Sequence, residues 1–173
     1  MLCCATQRLL NIVYRVTLSN MEYKVVQKSP MQVMGIELRT TNENMQSAVD
    51  IAPFWGRFYH ENIQAKIPNQ KTGEALGLYC EYEKDHTKPY TLVAGCEVTL
   101  VGDIPSGLVV KRIPAAKYAV FEIMGKFPDQ LMEVWKWIWE GNLRRTYSGD
   151  FEVYQLGFDA GENTDIHLYV AIH

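Results

Sequence analysis

The chain has 173 residues, of which 47% are hydrophobic and 12% aromatic, and its formal net charge is −3. These values predict one globular domain, or two small halves that share a core, and exclude a largely disordered chain. Lysines and arginines are scattered, so no basic surface for nucleic acid is predicted, and no apolar run approaches the roughly 18 residues of a membrane span.

The cysteines and histidines do not form a metal-binding or redox pattern. Cys3 and Cys4 are adjacent, whereas Cys80 and Cys96 are distant from them and from each other. An adjacent pair is a poor start for a disulfide framework, so we expect reduced thiols and a cytoplasmic protein. No Cys/His ligand spacing occurs, and we therefore predict neither a metal nor a cofactor.

Residues 1–20 precede the first convincing strand, which opens at Met21. They lack the basic, apolar and small-residue regions of a signal peptide. An appended strand, a loose tail and an upstream start are all compatible with this segment. About twenty residues are too few for a helix-turn-helix unit, so direct DNA binding is not expected. We predict a single domain over residues 21–173 with an N-terminal extension.

The first half of this domain, about residues 21–102, predicts the element order β-β-α-β-β. The first two strands are separated by a Ser29-Pro30 turn, and Pro53 suits the first turn of the helix. The predicted elements are the strands Lys24–Val26 and Met31–Leu38, the helix Ala52–Ile63, and the strands Ala75–Tyr82 and Tyr90–Leu100.

The second half, about residues 107–173, repeats this order. In both halves the first two strands are interpreted as a hairpin, and a slip of the apolar phase near Gly35 and at Val120-Phe121 predicts a β-bulge. The repeat predicts an α+β fold with antiparallel sheets, pseudo-twofold symmetry and a central ligand cleft. Its elements are the strands Leu108–Arg112 and Lys117–Ile123, the helix Pro128–Glu140, and the strands Phe151–Gly157 and Ile166–Ile172.

The strand that begins at Phe151 carries the most informative polar residue. Because side chains alternate along a strand, Phe151 points to one face, while Glu152 and Tyr154 point to the other. If this strand and the last one form a hairpin, Tyr169 is predicted on the Glu152 face. The result would be one carboxylate among phenol rings.

Three segments resemble the gyrase-inhibitor-like small-molecule-binding domains, which are also the effector-binding domains of some AraC-type and multidrug-sensing MerR-type bacterial regulators. The resemblance covers about residues 21–173 and is that of a stand-alone member, of the kind carried on integron cassettes. Where the family often has Trp-Leu-Pro, this chain has Trp137-Ile138-Trp139. The matching segments are Arg112-Ile113-Pro114-Ala115 through Lys117-Tyr118-Ala119-Val120-Phe121 to Gly125, Trp137-Ile138 leading to Phe151-Glu152-Val153-Tyr154, and Phe54-Trp55-Gly56-Arg57-Phe58.

The resemblance implies that Glu152 lies in a cleft, meets lipophilic cations and is surrounded by aromatic rings. A carboxylate among rings is poorly hydrated and favours a cation, and each well-placed ring face adds about 0.5 to 2 kcal/mol. The predicted ligand-binding residues are Glu152, Tyr154, Tyr169, Trp55, Trp137, Trp139 and Tyr79.

The tryptophans differ in their expected environments. Trp135 lies in the apolar stripe of the second helix, which favours the core. Trp137 lies about 200° around the helix from it, which favours the surface or a cavity. Trp139 lies at the helix end nearest the loop before Glu152. Trp55 is as compatible with the core as with a cleft wall.

These observations favour a non-catalytic binding protein for lipophilic, cationic small molecules. It would act as a multidrug-type sensor or a sequestering module, with any effect on transcription exerted through a protein partner. One alternative is a hydrolase of strained electrophilic rings in which Glu152 is the base or nucleophile. Another is a protein that binds and modulates gyrase. The natural ligand and the oligomeric state are not predicted.

Overall fold

The computed structural model describes residues 14–18, 21–161 and 164–173, and the prediction about Cys3 and Cys4 lies outside these residues. The strands are β1 (Tyr14–Leu18), β2 (Met21–Lys28), β3 (Met31–Thr40), β4 (Ala75–Cys80), β5 (Tyr90–Glu97), β6 (Val109–Ile113), β7 (Ala116–Ile123), β8 (Asp150–Tyr154) and β9 (Ile166–Ile172). In the described part of the chain they form one antiparallel nine-stranded sheet, in the order β1-β2-β7-β9-β8-β4-β5-β3-β6.

The helices pack against one face of this sheet. They are α1 (Gln46–His60), α2 (Ile63–Lys66) and α3 (Asp129–Trp137), which continues into a π-helical turn at Ile138–Asn142. Gly141 in this turn has a φ of 86°, a conformation that favours glycine, and Leu143 after the turn is extended. The predicted α+β class and its duplicated element order are confirmed. In the described residues no helix is long and apolar enough to cross a membrane.

The two halves exchange their first strands. β2 pairs with β7 of the second half, and β6 pairs with β3 of the first half. β4 and β8, the third strands of the two halves, pair with each other at the centre. The predicted hairpins between the first two strands of each half are therefore wrong. The hairpin that the sequence analysis considered for the last two strands is present as β8–β9, and β4 and β5 also pair with each other.

The sheet curls strongly, because strands far apart in its order are close in the chain. Only two residues separate Lys28, at the end of β2, from Met31, at the start of β3, so the gap is at most about 11 Å. The face opposite the helices is thereby enclosed by the sheet itself. A second apolar cluster on this face contains only strand residues, among them Val33, Leu78 and Phe151.

The predicted bulges are absent from the described strands. Pairing runs without a break through Gly35, opposite Gly95, and through Val120, opposite Tyr169. The apolar phase slips because these strands are buried on both faces: Met34 belongs to the helix-side cluster and Val33 to the other. Gly35 also allows a close backbone approach, since a Cβ there would lie 2.0 Å from the Ala94 carbonyl oxygen.

Helix α1 begins earlier than predicted. It starts at Gln46, after Asn44 and Met45 in left-handed conformation, so Pro53 lies inside the helix rather than in its first turn. Proline leaves the carbonyl of residue 49 without its helical donor. Val49 is 69% exposed, so this turn of α1 lies at the protein surface.

Candidate functional site

Glu152 lies at the centre of the sheet, where the two halves meet. It is opposite Gly77 of β4 and opposite Leu168 of β9. Its side chain is on the helix side of the sheet and only 1% of the residue is exposed. Carboxylates are almost never buried so completely unless they are paired, so the groups around Glu152 decide its role.

Three neutral groups donate hydrogen bonds to the Glu152 carboxylate. Oε1 accepts from Trp135 Nε1 at 2.7 Å and from the Tyr79 hydroxyl at 3.0 Å. Oε2 accepts from the Tyr154 hydroxyl at 2.8 Å. These donors come from both halves, and no ion pair to Glu152 is found in the described part of the chain. The carboxylate is therefore hydrogen-bonded without a neutralising charge.

Burial is the main influence on the acid and on its neighbours. Burial raises the pKa of Glu152, and the hydrogen bonds from Trp135, Tyr154 and Tyr79 act in the opposite direction. Burial, with the nearby Glu152 charge, raises the pKa of Tyr79 and Tyr154 well above the ordinary range. Both phenols therefore remain neutral donors.

Aromatic rings enclose the carboxylate. The ring centroids of Trp55 and Tyr154 are 5.1 Å apart, and those of Tyr79 and Trp135 are 5.3 Å apart. Trp139 stacks on Trp135 at 5.9 Å with an interplanar angle of 22°. These separations are typical of favourable ring pairs. The acid thus lies within a continuous aromatic wall built by the sheet, α1 and α3.

The structure brings most of the predicted site residues together. Tyr79 and Tyr154 contact Glu152 directly, Trp55 packs on Tyr154, and Trp139 is one ring further away. Trp135 is the site residue that the sequence analysis assigned to the core alone. A buried indole N–H usually has a hydrogen-bond acceptor, and this requirement could have indicated that Trp135 contacts a polar group.

Two predicted site residues lie elsewhere. Tyr169 is opposite Phe151 in the sheet and stacks on it at 4.5 Å, so it lies on the face opposite Glu152. Trp137 is 9% exposed and packs against Tyr23 and Phe121, with centroid distances of 6.4 and 5.9 Å. Its expected position at the surface or a cavity is wrong, because β2 and β7 cover that side of α3.

Gly77 leaves the space that Glu152 and Trp55 occupy. A Cβ at this position would lie 3.1 Å from Trp55 Cζ2 and 3.3 Å from Glu152 Oε2. We therefore expect Gly77→Ala to displace the Trp55 ring and to lower the free energy of unfolding by about 1 to 3 kcal/mol. Urea denaturation and tryptophan emission would measure both effects. Gly56→Ala on the open side of α1 is the control, and equal losses in both variants would contradict this prediction.

A buried ion pair adjoins the site. Arg145 Nη2 and Asp150 Oδ2 are 2.5 Å apart, and the two side chains are 2% and 0% exposed. Asp150 also accepts hydrogen bonds from the Tyr82 hydroxyl at 2.9 Å and from the Ala171 amide at 2.8 Å. The Arg145 guanidinium carbon lies 5.8 Å from the Trp135 ring centroid. The pair thus supports the outer side of the aromatic wall.

A family of known proteins matches this arrangement. The sequence profile of Cass2, described as an integron-associated effector binding protein, matches residues 24–172. The chain belongs to the Cass2 family. The match spans all the elements that surround Glu152, and it places the chain in a family of effector-binding proteins.

Two solved structures share this fold. The integron cassette protein VCH_CASS2 of Vibrio cholerae is 26% identical, with a TM-score of 0.68 over 93% of this chain and 99% of that one. SAV2435, solved with tetraphenylphosphonium bound, is 23% identical, with a TM-score of 0.74 over 88% and 94%. The fold is therefore shared along nearly the whole of both proteins.

Two curated relatives are named as transcriptional regulators. YobU of Bacillus subtilis is 28% identical over 80% of this chain and 89% of its own length. BrlR of Pseudomonas aeruginosa is 28% identical over 89% of this chain, which spans 56% of the length of BrlR.

Proposed function

We propose that this Cass2-family protein binds lipophilic organic cations, with Glu152 as their counter-charge. The observation that carries the proposal is a carboxylate that is 1% exposed and whose hydrogen-bond donors, Trp135, Tyr79 and Tyr154, are all neutral. A buried charge is costly unless it is paired. A cation in van der Waals contact with these rings would supply the missing charge.

The aromatic wall supports flat or ring-bearing cations as the class of ligand. Ring faces attract cations and also remove apolar groups from water, so flat or ring-bearing cations gain from both effects. The wall contains several ring orientations, from the stacked pair Trp135–Trp139 to the edge-on pair Trp55–Tyr154. A site of this kind selects for positive charge and hydrophobicity rather than for one molecular shape, which suits a multidrug-type sensor or sequestering protein.

Ligand entry requires a ring to move, because the rings enclose Glu152. Trp55 is half-buried and stacks at 5.9 Å on Tyr59, which is 54% exposed. Among the rings of the wall, Trp55 therefore has a neighbour that already reaches solvent. We infer that a cation enters between α1 and the sheet as Trp55 swings outward.

The relatives support this function. Tetraphenylphosphonium, the ligand in the SAV2435 structure, is a lipophilic cation of the proposed class. YobU and BrlR are named as transcriptional regulators. We therefore propose that the present chain binds its ligand without converting it, and that it affects transcription through a protein partner.

The test compares two probes of nearly equal shape and opposite charge. We expect tetraphenylphosphonium to quench tryptophan emission saturably, whereas tetraphenylborate binds at least about tenfold more weakly, because only the cation gains from Glu152. Isothermal calorimetry would measure both affinities. Equal affinity for the two ions would overturn the proposal, since apolar contact alone would then account for binding.

A further inference from the structure

A second hollow lies on the face of the sheet opposite Glu152. Its volume is about 240 Å³, and its apolar floor contains Leu76, Phe151 and Val153. Phe151 and Val153 flank Glu152 in β8, so the hollow and the Glu152 site lie back to back on one strand. The volume is below the roughly 300 to 1,000 Å³ of sites for drug-sized ligands, so its occupant would be smaller than a drug.

Lys28 brings a positive charge to this hollow. The curl of the sheet carries the end of β2 over β8 and β9, so the Lys28 ammonium lies 4.5 Å from the Tyr169 ring centroid and 5.2 Å from that of Phe151. These two rings are nearly parallel, with an interplanar angle of 12°. The ammonium is thus held by ring faces at the edge of an apolar floor.

The hollow is also lined by Lys71, Glu74 and Glu97, but none of them forms an ion pair with Lys28. Lys71 Nζ and Glu97 Oε1 are 2.8 Å apart and neutralise each other. In the described residues, every carboxylate oxygen is more than 4.0 Å from Lys28 Nζ, which is too far for an ion pair. Burial lowers the pKa of Lys28, and the nearby charges of Glu97 and Glu74 only partly oppose this effect.

We propose that this Lys28 hollow binds a small organic monocarboxylate with a flat apolar body. The carboxylate would pair with Lys28 Nζ, and the apolar body would lie on Leu76, Phe151 and Val153. Glu74 also lines the hollow and repels a second negative charge, which favours a monoanion over a dianion. The inference goes beyond the proposed cation site, because it uses different side chains on the other face of the sheet.

The probe for this site is para-fluorobenzoate, observed by fluorine NMR. We expect saturable binding to the wild type and at least about tenfold weaker binding to Lys28→Met, because a charge-assisted hydrogen bond is lost. Lys28→Arg keeps the charge and should retain binding. Glu74→Gln should strengthen it, an effect that a purely structural role of Lys28 does not produce. The cation para-fluorobenzylammonium should show no dependence on Lys28.

The outcomes separate this proposal from the proposed function. Glu152→Gln should leave benzoate binding unchanged, and Lys28→Met should leave tetraphenylphosphonium binding unchanged. Circular dichroism would confirm that each variant is folded. Absence of saturable benzoate binding to the wild type, or equal affinity in Lys28→Met, would overturn the carboxylate site whatever the result for the cation site.

Discussion

Glu152→Gln is expected to weaken tetraphenylphosphonium binding by at least about 30-fold. Loss of one member of a buried charge pair costs about 2 to 5 kcal/mol, and glutamine keeps the shape of the side chain while removing its charge. Glu122→Gln is the matched control, because Glu122 is an exposed acid of the same sheet, ion-paired with Lys24 at 2.5 Å. Calorimetric titration of both variants tests the expectation, and a similar affinity in both would refute Glu152 as the counter-charge.

The same variant should be no less stable than the wild type. Burial raises the pKa of Glu152, which means that the folded protein disfavours the charged form. Glutamine removes this cost and can still accept hydrogen bonds at one oxygen from Trp135 and Tyr79. Weaker binding together with unchanged or higher stability in urea would show that the acid serves ligand binding rather than folding.

The pH dependence follows from the direction of the same shift. The pKa of Glu152 in the folded protein is raised above the ordinary value of 4.5. In the pH window between 4.5 and the raised value, the folded state therefore binds more protons than the unfolded state. Stability contributed by the protonated acid is thus lost as the pH rises through the window, while cation affinity increases as the carboxylate ionises. In Glu152→Gln both changes should disappear, and an unaltered affinity profile in that variant would contradict the assignment.

Asp150→Ala is expected to lower the free energy of unfolding by about 3 to 5 kcal/mol. The change leaves the Arg145 guanidinium buried without its acid, and such an uncompensated charge is among the most costly defects in a core. Arg145 Nε and Nη1 already have no hydrogen-bond partner in the described part of the chain. Urea denaturation monitored by circular dichroism would measure the loss.

Two controls isolate the charge effect. Asp150→Ala combined with Arg145→Met should be less destabilising than Asp150→Ala alone, because no charge remains buried. Glu83→Gln breaks an exposed pair with Arg39, in which the side chains are 43% and 59% exposed, and should cost less than about 1 kcal/mol. If the double variant loses as much free energy of unfolding as the two single variants lose together, the uncompensated charge is not the cause of the destabilisation.

The element order could be predicted from the sequence, but the strand pairing could not. Alternation and helical spacing are local properties, and they indicated both β-β-α-β-β units. The Ser29-Pro30 turn suggested a hairpin, yet β2 and β3 pair with strands of the other half. Long-range pairing of this kind depends on contacts that no short stretch of sequence records.

The site residues show the same limit. The alternation of side chains along β8 correctly placed Glu152 and Tyr154 on the same face. The face occupied by Tyr169 depended on the register between β8 and β9, which the long connection between these strands left open. Helical spacing correctly buried Trp135 without indicating that its indole N–H would reach Glu152. The environment of Trp137 was predicted wrongly because Tyr23 of β2 and Phe121 of β7 cover that side of α3.

The exchange of β2 and β6 between the two halves bears on how the fold could have arisen and on whether each half can fold alone. Reciprocal exchange of identical segments is the pairing of a swapped homodimer, so an unduplicated ancestor with these contacts would have been a dimer of two short chains. Joining two such chains into one would remove the dependence on concentration and keep the reciprocal strand pairing. Cleavage between residues 101 and 106 would therefore yield two fragments that must reassociate to fold, not two independent units.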